Sequence, residues 1–179
     1  MTYQDYLELP NDGKRYEILG GDPHVTPAPS WYHQEVLSNV FVLLRSYVQS
    51  QGLGWVALAP FDVVFDDTNI VQPDLIYVAK PRLRLRKKNH LAGAPDLAVE
   101  VLSPSTAKYD RSLKLQAYEA HGIGHYWTLD PERRVLEERV LVDKAYRLMA
   151  TLSGPAMFRS QLFPELAIEL ERVWCEIED

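Results

Sequence analysis

Val71-Gln72-Pro73-Asp74-Leu75 and Ala98-Val99-Glu100-Val101-Leu102-Ser103 each set one carboxylate inside an otherwise apolar, strand-like run. A charged carboxylate taken out of water is costly unless something positive meets it. Two of them, each in a hydrophobic β context, ask for a shared cation. A divalent metal held by Asp and Glu is the core of a phosphodiester-cleaving site. Alternate side chains of a strand share a face, which groups Asp96, Ala98, Glu100 and Leu102 opposite Leu97, Val99 and Val101. Glu100 therefore emerges near the strand's end, on the face away from the branched aliphatics.

Outward from these segments, residues 55–65, 71–79 and 95–102 are expected as three strands, and His125-Tyr126-Trp127-Thr128-Leu129 as a fourth. Upstream, residues 2–9 form a short helix capped by Thr2, with Asp5 in its first turn and Pro10 as its stop. Strands over 15–19 and 24–26 flank a Gly20-Gly21-Asp22-Pro23 turn. Ser30 caps a helix over residues 31–51, where Val36, Val40, Leu43, Leu44, Tyr47 and Val48 recur at helical spacing. A helix over 106–120 is expected after the glutamate strand, capped near Ser105, and 135–142 pairs with 146–152 as an antiparallel hairpin. Trp31, Trp55 and Trp127 read as core aromatics. The order is α/β with extra β at the end, in one domain.

At 179 residues, 46% hydrophobic and 25% charged, the chain suits one soluble domain with a sizeable core. The lone Cys175 cannot form an internal disulfide, and the opening Met1-Thr2-Tyr3-Gln4-Asp5 lacks the basic and apolar regions of a signal peptide. A reducing, cytoplasmic home without a membrane span is the expectation. The net charge of −6 argues against a surface that grips nucleic acid all over. Charge is uneven, however. From Leu75 to Pro95 there is no acidic residue, while Lys80, Arg82, Arg84, Arg86, Lys87 and Lys88 all fall there. That run either engages phosphates near a metal site or is a solvated loop between two strands.

A metal-dependent nuclease often carries a lysine two residues beyond such a glutamate, to polarise the attacking water. Here that position is Leu102. Lys114 on the following helix is the substitute, with Tyr118 one turn beyond. If the helix packs across the sheet, Lys114 reaches Glu100; otherwise it faces solvent. Lys108 is also available but sits near the helix start, and Arg111 is a poorer choice because its guanidinium hardly titrates. Asp62 lines the site or faces solvent on an alternating strand. Asp96 reads as a turn residue before its strand. Other chemistries lack their signatures: no Gly-rich phosphate loop, no multi-cysteine zinc set and no Gly-x-Ser-x-Gly elbow occur.

The ordered set Arg15-Tyr16-Glu17-Ile18-Leu19-Gly20-Gly21, His33-Gln34, Gln72-Pro73-Asp74-Leu75, 95–103, Lys114, Tyr118 and Tyr126-Trp127-Thr128-Leu129-Asp130-Pro131 resembles the Uma family of restriction-endonuclease-like proteins, in the PD-(D/E)XK nuclease superfamily. The resemblance implies a restriction-endonuclease-like mixed central β-sheet flanked by helices, with an additional antiparallel β-hairpin and a metal site at the sheet's split edge. It implies that Asp74 and Glu100 are the metal-binding and catalytic carboxylates and Lys114 the relocated lysine. Glu17 is then an acidic position that could join the site, with His33 and Gln34 a polar pair beside it. Apart from the resemblance, the residues themselves add the Val101 carbonyl as a ligand to a Mg²⁺ or Mn²⁺ ion, Tyr118 and Asp62 as site-lining candidates, and Arg82, Arg84, Arg86, Lys87 and Lys88 as candidates to meet DNA. A homodimer is implied because such proteins cut duplexes in pairs. The expected function is metal-dependent endonucleolytic DNA hydrolysis. The alternative is a nuclease-like module that binds nucleic acid or a protein without cutting.

Overall fold

A computed structural model describes residues 1–10, 12–104 and 109–174. Thr2 caps a single turn, α1 (Tyr3–Leu7): its hydroxyl accepts from the Asp5 N–H, and the Asp5 carboxylate accepts from the Thr2 N–H. β1 (Arg15–Leu19) and β2 (Asp22–Thr26) pair antiparallel around Gly20 and Gly21, at φ +60° and +85°. A two-residue turn needs φ > 0 at both centres, which glycine supplies without strain. The turn is therefore shorter than expected, and Asp22 and Pro23 belong to β2. Pro23 is tolerated there because β2 is an edge strand. α2 (Trp31–Ser50) starts at Ser30, whose hydroxyl accepts from the His33 N–H at 3.2 Å.

Two prolines then divide what the sequence presents as continuous strands. Residues 55–65 become β3 (Gly54–Leu58) and β4 (Asp62–Asp66), parted at Pro60. Residues 71–79 become β5 (Asn69–Val71) and β6 (Leu75–Ala79), parted at Gln72-Pro73-Asp74. At each proline, which has no N–H to give a ladder, the chain passes from one sheet to another. A 3₁₀ turn (Lys80–Leu85) follows, then β7 (His90–Ala92) and β8 (Leu97–Val101). The expected 106–120 helix is described from residue 109: a widened π turn (Asp110–Lys114) leads into α3 (Leu115–Ala120). Its expected cap, Ser105, and the start at Thr106 lie outside the described residues. β9 (His125–Asp130), β10 (Val135–Val142), β11 (Ala145–Ser153), β12 (Met157–Arg159) and β13 (Ala167–Glu169) complete the order.

The central sheet is mixed, in the order β11-β10-β9-β8-β6-β3, with β8 and β9 parallel and its other pairs antiparallel. The 135–142/146–152 hairpin is its extension rather than a separate addition. One face presents Leu75, Tyr77, Leu97, Val99, Val101 and Trp127 to Val36, Leu37, Val40, Leu44 and Val48 of α2 and to the C-terminal segment. The other face presents Ile76, Val78, Ala98 and Tyr126. It is covered by Tyr118 of α3 and by a second sheet, β2-β1-β5-β4-β7, through Leu19, Val63, Val71 and Leu91. The expectation was a sheet flanked by helices; a second sheet takes most of one face, because the chain leaves the central sheet at Pro60 and comes back to it at Pro73. Leu97–Val101 is buried throughout, as a strand covered on both sides must be. Trp127 is fully buried, but Trp31 is 62% exposed at the first turn of α2 and is not a core aromatic.

Candidate active site

The site arises where β6 and β8 separate. Their ladder ends at the Leu75–Val99 pair, and the chain before Leu75 turns away through Pro73 toward β5 in the other sheet. The Val101 N–H is left without a strand partner on that side, and the Asp74 carboxylate supplies one, Oδ2 accepting it at 3.0 Å. His33 Nε2 lies 3.1 Å from the same oxygen. Both terminal nitrogens of Arg15 donate to Oδ1 at 3.2 Å, and Arg15 also donates to the Gln72 carbonyl at 2.8 Å. Burial pushes the Asp74 carboxyl up, but His33, Arg15 and Lys114 outweigh it and hold the group well below the usual carboxylate range. An ionised carboxylate has no proton to give, so Nε2 of His33 carries the hydrogen between them.

Glu100 lies across from Asp74 at the end of β8. Its Oε1 accepts from Lys114 Nζ at 2.9 Å and from the Tyr118 hydroxyl at 2.5 Å. The same ammonium lies 3.1 Å from Glu17 Oε1 and 3.6 Å from Asp110 Oδ1. Glu17 also accepts the Gln72 N–H at 2.7 Å, while its Oε2 is buried with no partner among the described residues. Burial and the neighbouring Asp74, Asp110 and Glu17 push Glu100 well up, against the pull of Lys114. For Lys114, burial opposes the charged form, but the surrounding carboxylates win and push its pKa well up. Among the described residues, four carboxyl groups thus face two cations, Lys114 and Arg15, and all six side chains are mostly or fully buried. Ionised together they leave two negative charges in excess, which one divalent ion would neutralise.

A cavity of about 200 Å³ opens onto this cluster, with Arg15, His33, Asp74, Glu100, Val101 and Lys114 on its wall. Val101 aims its N–H at Asp74, and the carbonyl of a strand residue points to the same side as its N–H. Asp74, Glu100 and that carbonyl are the oxygens that would hold a divalent ion such as Mg²⁺, which keeps several waters and needs one or two carboxylates. Among the described residues no three carboxylate, imidazole or thiol side chains gather as a ready-made cage. The residues fit a hard ion shared with water and phosphate.

Glu17 stands behind Lys114, off the cavity wall, and Tyr118 stands behind Glu100. Asp62 is off the wall too, accepting from Tyr6 at 2.7 Å and Gln72 at 2.8 Å. Gln34 is exposed on α2, away from the cavity. The basic run begins at the opposite end of β6 from Asp74, about 17 Å along the strand. There Arg82 pairs with Asp96 at 2.7 Å and Arg86 lies over the Trp55 ring, while Arg84, Lys87 and Lys88 are exposed. Asp96, which also accepts the Ala79 N–H at 2.7 Å, joins β6 to the approach of β8. Two site residues were missed from sequence, Arg15 and Asp110. Both carried a signal: Arg15 shares a strand face with Glu17, and Asp110 stands four residues before Lys114 on one helical face.

The fold is similar to a crystal structure described as a putative nuclease belonging to DUF820 from Anabaena variabilis, with a TM-score of 0.81, 20% sequence identity and 97% of each chain covered. At that identity the likeness concerns the fold. No curated protein matches the sequence. The family model of Uma2, described as putative restriction endonuclease, matches residues 3–171, and the chain belongs to that family.

Proposed function

We propose that this protein is a metal-dependent endonuclease that hydrolyses DNA at the cleft between β6 and β8. The observation that carries the reading is the convergence of Asp74 and Glu100 on one cavity wall, with the Lys114 amine 2.9 Å from Glu100. The family's description as putative restriction endonuclease and the fold shared with a solved structure described as a putative nuclease support it. Asp74, Glu100 and the Val101 carbonyl would hold Mg²⁺ or Mn²⁺. That ion, when bound, supplies Lewis-acid polarisation of a phosphate oxygen and lowers the pKa of water.

Lys114 is held protonated by its carboxylates and is a poor proton acceptor. Its part is electrostatic: a fixed positive charge beside Glu100 that orients the attacking water and supports negative charge as it develops. Glu17 and Asp110 position that ammonium, and the Tyr118 hydroxyl positions Glu100. His33 holds Asp74 from the side of α2. Arg84, Lys87 and Lys88, exposed at the far end of β6 from the cleft, would meet duplex phosphates remote from the cut, and two copies of the chain would act on opposite strands.

The test is cleavage of supercoiled plasmid in Mn²⁺ at low salt, alongside Mn²⁺ titration of the wild type, Asp74→Ala and Glu100→Ala. Nicking and Mn²⁺ binding that vanish in both variants support the reading. Cleavage that survives either substitution overturns it. A wild type that retains DNA on a column but binds no Mn²⁺ and does not cut would instead be the non-catalytic binding module.

A further inference from the structure

Of the two cations that the described residues bring to the cleft, one is locked and one is not. Lys114 is held by three carboxylates and its side chain is only 4% exposed. Arg15 has an 18% exposed side chain on the cavity wall, and both of its contacts to Asp74 fall on a single oxygen at 3.2 Å. Its third contact is to the Gln72 carbonyl, and its Nε is buried with no partner among the described residues. A guanidinium has five donors in a planar fork that matches a carboxylate or a phosphate. Here that fork is under-used by its carboxylate and faces the space where a phosphate would enter.

Asp74 cannot serve two cations at full strength. A divalent ion on its carboxylate and the Arg15 guanidinium on the same group repel each other. We propose that Arg15 is the phosphate-binding residue of this site and exchanges between two anions, the Asp74 carboxylate and a non-bridging oxygen of the scissile or adjacent phosphate. This rests on the metal-site reading above and deepens it by naming the residue that takes the substrate's charge. Arg15 is anchored for the exchange: it sits on β1 opposite Thr26, which also lines the cavity. A short swing of the fork leaves the strand in place. Lys114 cannot substitute, because leaving its carboxylates would strand three buried charges.

The exchange makes two opposite demands on one side chain, and a purely structural arginine meets neither. With Arg15→Gln, Asp74 loses its competing cation, so Mn²⁺ affinity measured calorimetrically without DNA rises several-fold. The same variant gives up a charge-assisted hydrogen bond to phosphate, so affinity for a short duplex falls roughly ten- to a hundredfold. Duplex affinity is read by fluorescence anisotropy in Ca²⁺, with gels checking that the duplex stays intact. Lys14→Gln removes the same charge one residue away on an exposed side chain and should move neither measurement. Mn²⁺ affinity that does not rise, or duplex affinity that does not fall, overturns the proposal. If Arg15→Gln does not fold, Arg15→Lys decides. It keeps the charge but not the fork, so Mn²⁺ affinity stays near wild type while KM for the duplex rises; an unchanged KM overturns the exchange. Failure of the underlying reading looks different: the wild type itself then binds no Mn²⁺ and cuts nothing.

Discussion

Glu100 on β8 and Glu138 on β10 stand two strands apart in the same six-stranded sheet, and each is at most 2% exposed. Glu138 accepts from Trp127 Nε1 at 3.2 Å, the Ser160 hydroxyl at 2.6 Å and the Gln161 N–H at 3.2 Å, with His125 Nδ1 3.9 Å away. Burial pushes its carboxyl up, but His125, Ser160, Trp127 and the Gln161 amide bring it below the ordinary value. Glu100 shares its space with three other carboxyl groups and is pushed the opposite way. One glutamate is an anchor that ties the 160–162 segment to β10 using mostly neutral donors. The other is crowded by its own kind beside a cavity. Burial of a carboxylate alone therefore does not mark a site. What distinguishes the cleft, among the described residues, is the crowding of like charge beside a cavity.

Substitutions at the two glutamates should separate activity from stability, and the largest effect is at the cleft. Glu100→Gln should lower the cleavage rate roughly a thousandfold, in line with the loss of a group acting on transition-state charge. Its thermal midpoint should hold or rise, because a crowded charge has been removed; a large fall would make Glu100 an anchor like Glu138. Lys114→Met should show the reverse emphasis. It leaves buried carboxylates unpaired and should destabilise the fold by about 3–5 kcal/mol in denaturant titrations. Glu138→Gln should cost about 1–3 kcal/mol with cleavage unchanged in the folded fraction.

The deficit of Glu138→Gln should also depend on pH. The folded carboxyl titrates below its unfolded value, so its contribution is fully present above about pH 4.3 and is lost as pH falls through the folded value. The gap between wild type and variant, followed by urea titration, should narrow on acidification; a gap that widens would remove Glu138 from the comparison. The smallest effect belongs to the remote basic run. Lys87→Ala with Lys88→Ala should reduce the slope of log affinity against log salt by up to about 0.9 for each phosphate no longer neutralised. Metal affinity should not change.

Much of the cleft was legible because its chemistry is local to short segments. Asp74 and Glu100 stood out as charges in apolar strand runs, and Lys114 with Tyr118 as an i,i+4 pair on the next helix. Arg15 and Asp110 did not stand out, because a strand arginine and a helix aspartate are ordinary until their neighbours are known. The strands over 55–65 and 71–79 misled for another reason. Hydrophobic runs carry their period through a proline, while the ladder does not. Glu138 escaped notice among Glu137, Arg139 and the polar positions of a hairpin. Nothing in its spacing tells a buried glutamate from a solvated one.

By itself the sequence determined the apolar periodicities that make the strands and α2, the caps at Thr2 and Ser30, and the identities of the two cleft carboxylates. Each is a property of neighbours within a few residues. Only the tertiary structure decided that Pro73 would part β6 from β8 and leave the Val101 N–H for Asp74. It also decided that Arg15, 59 residues away in sequence, would share that carboxylate. Those are balances of charge and hydrogen bonding among groups that meet only once the sheets are packed. Local pattern cannot carry them, because electrostatic compensation depends on distance in space rather than along the chain.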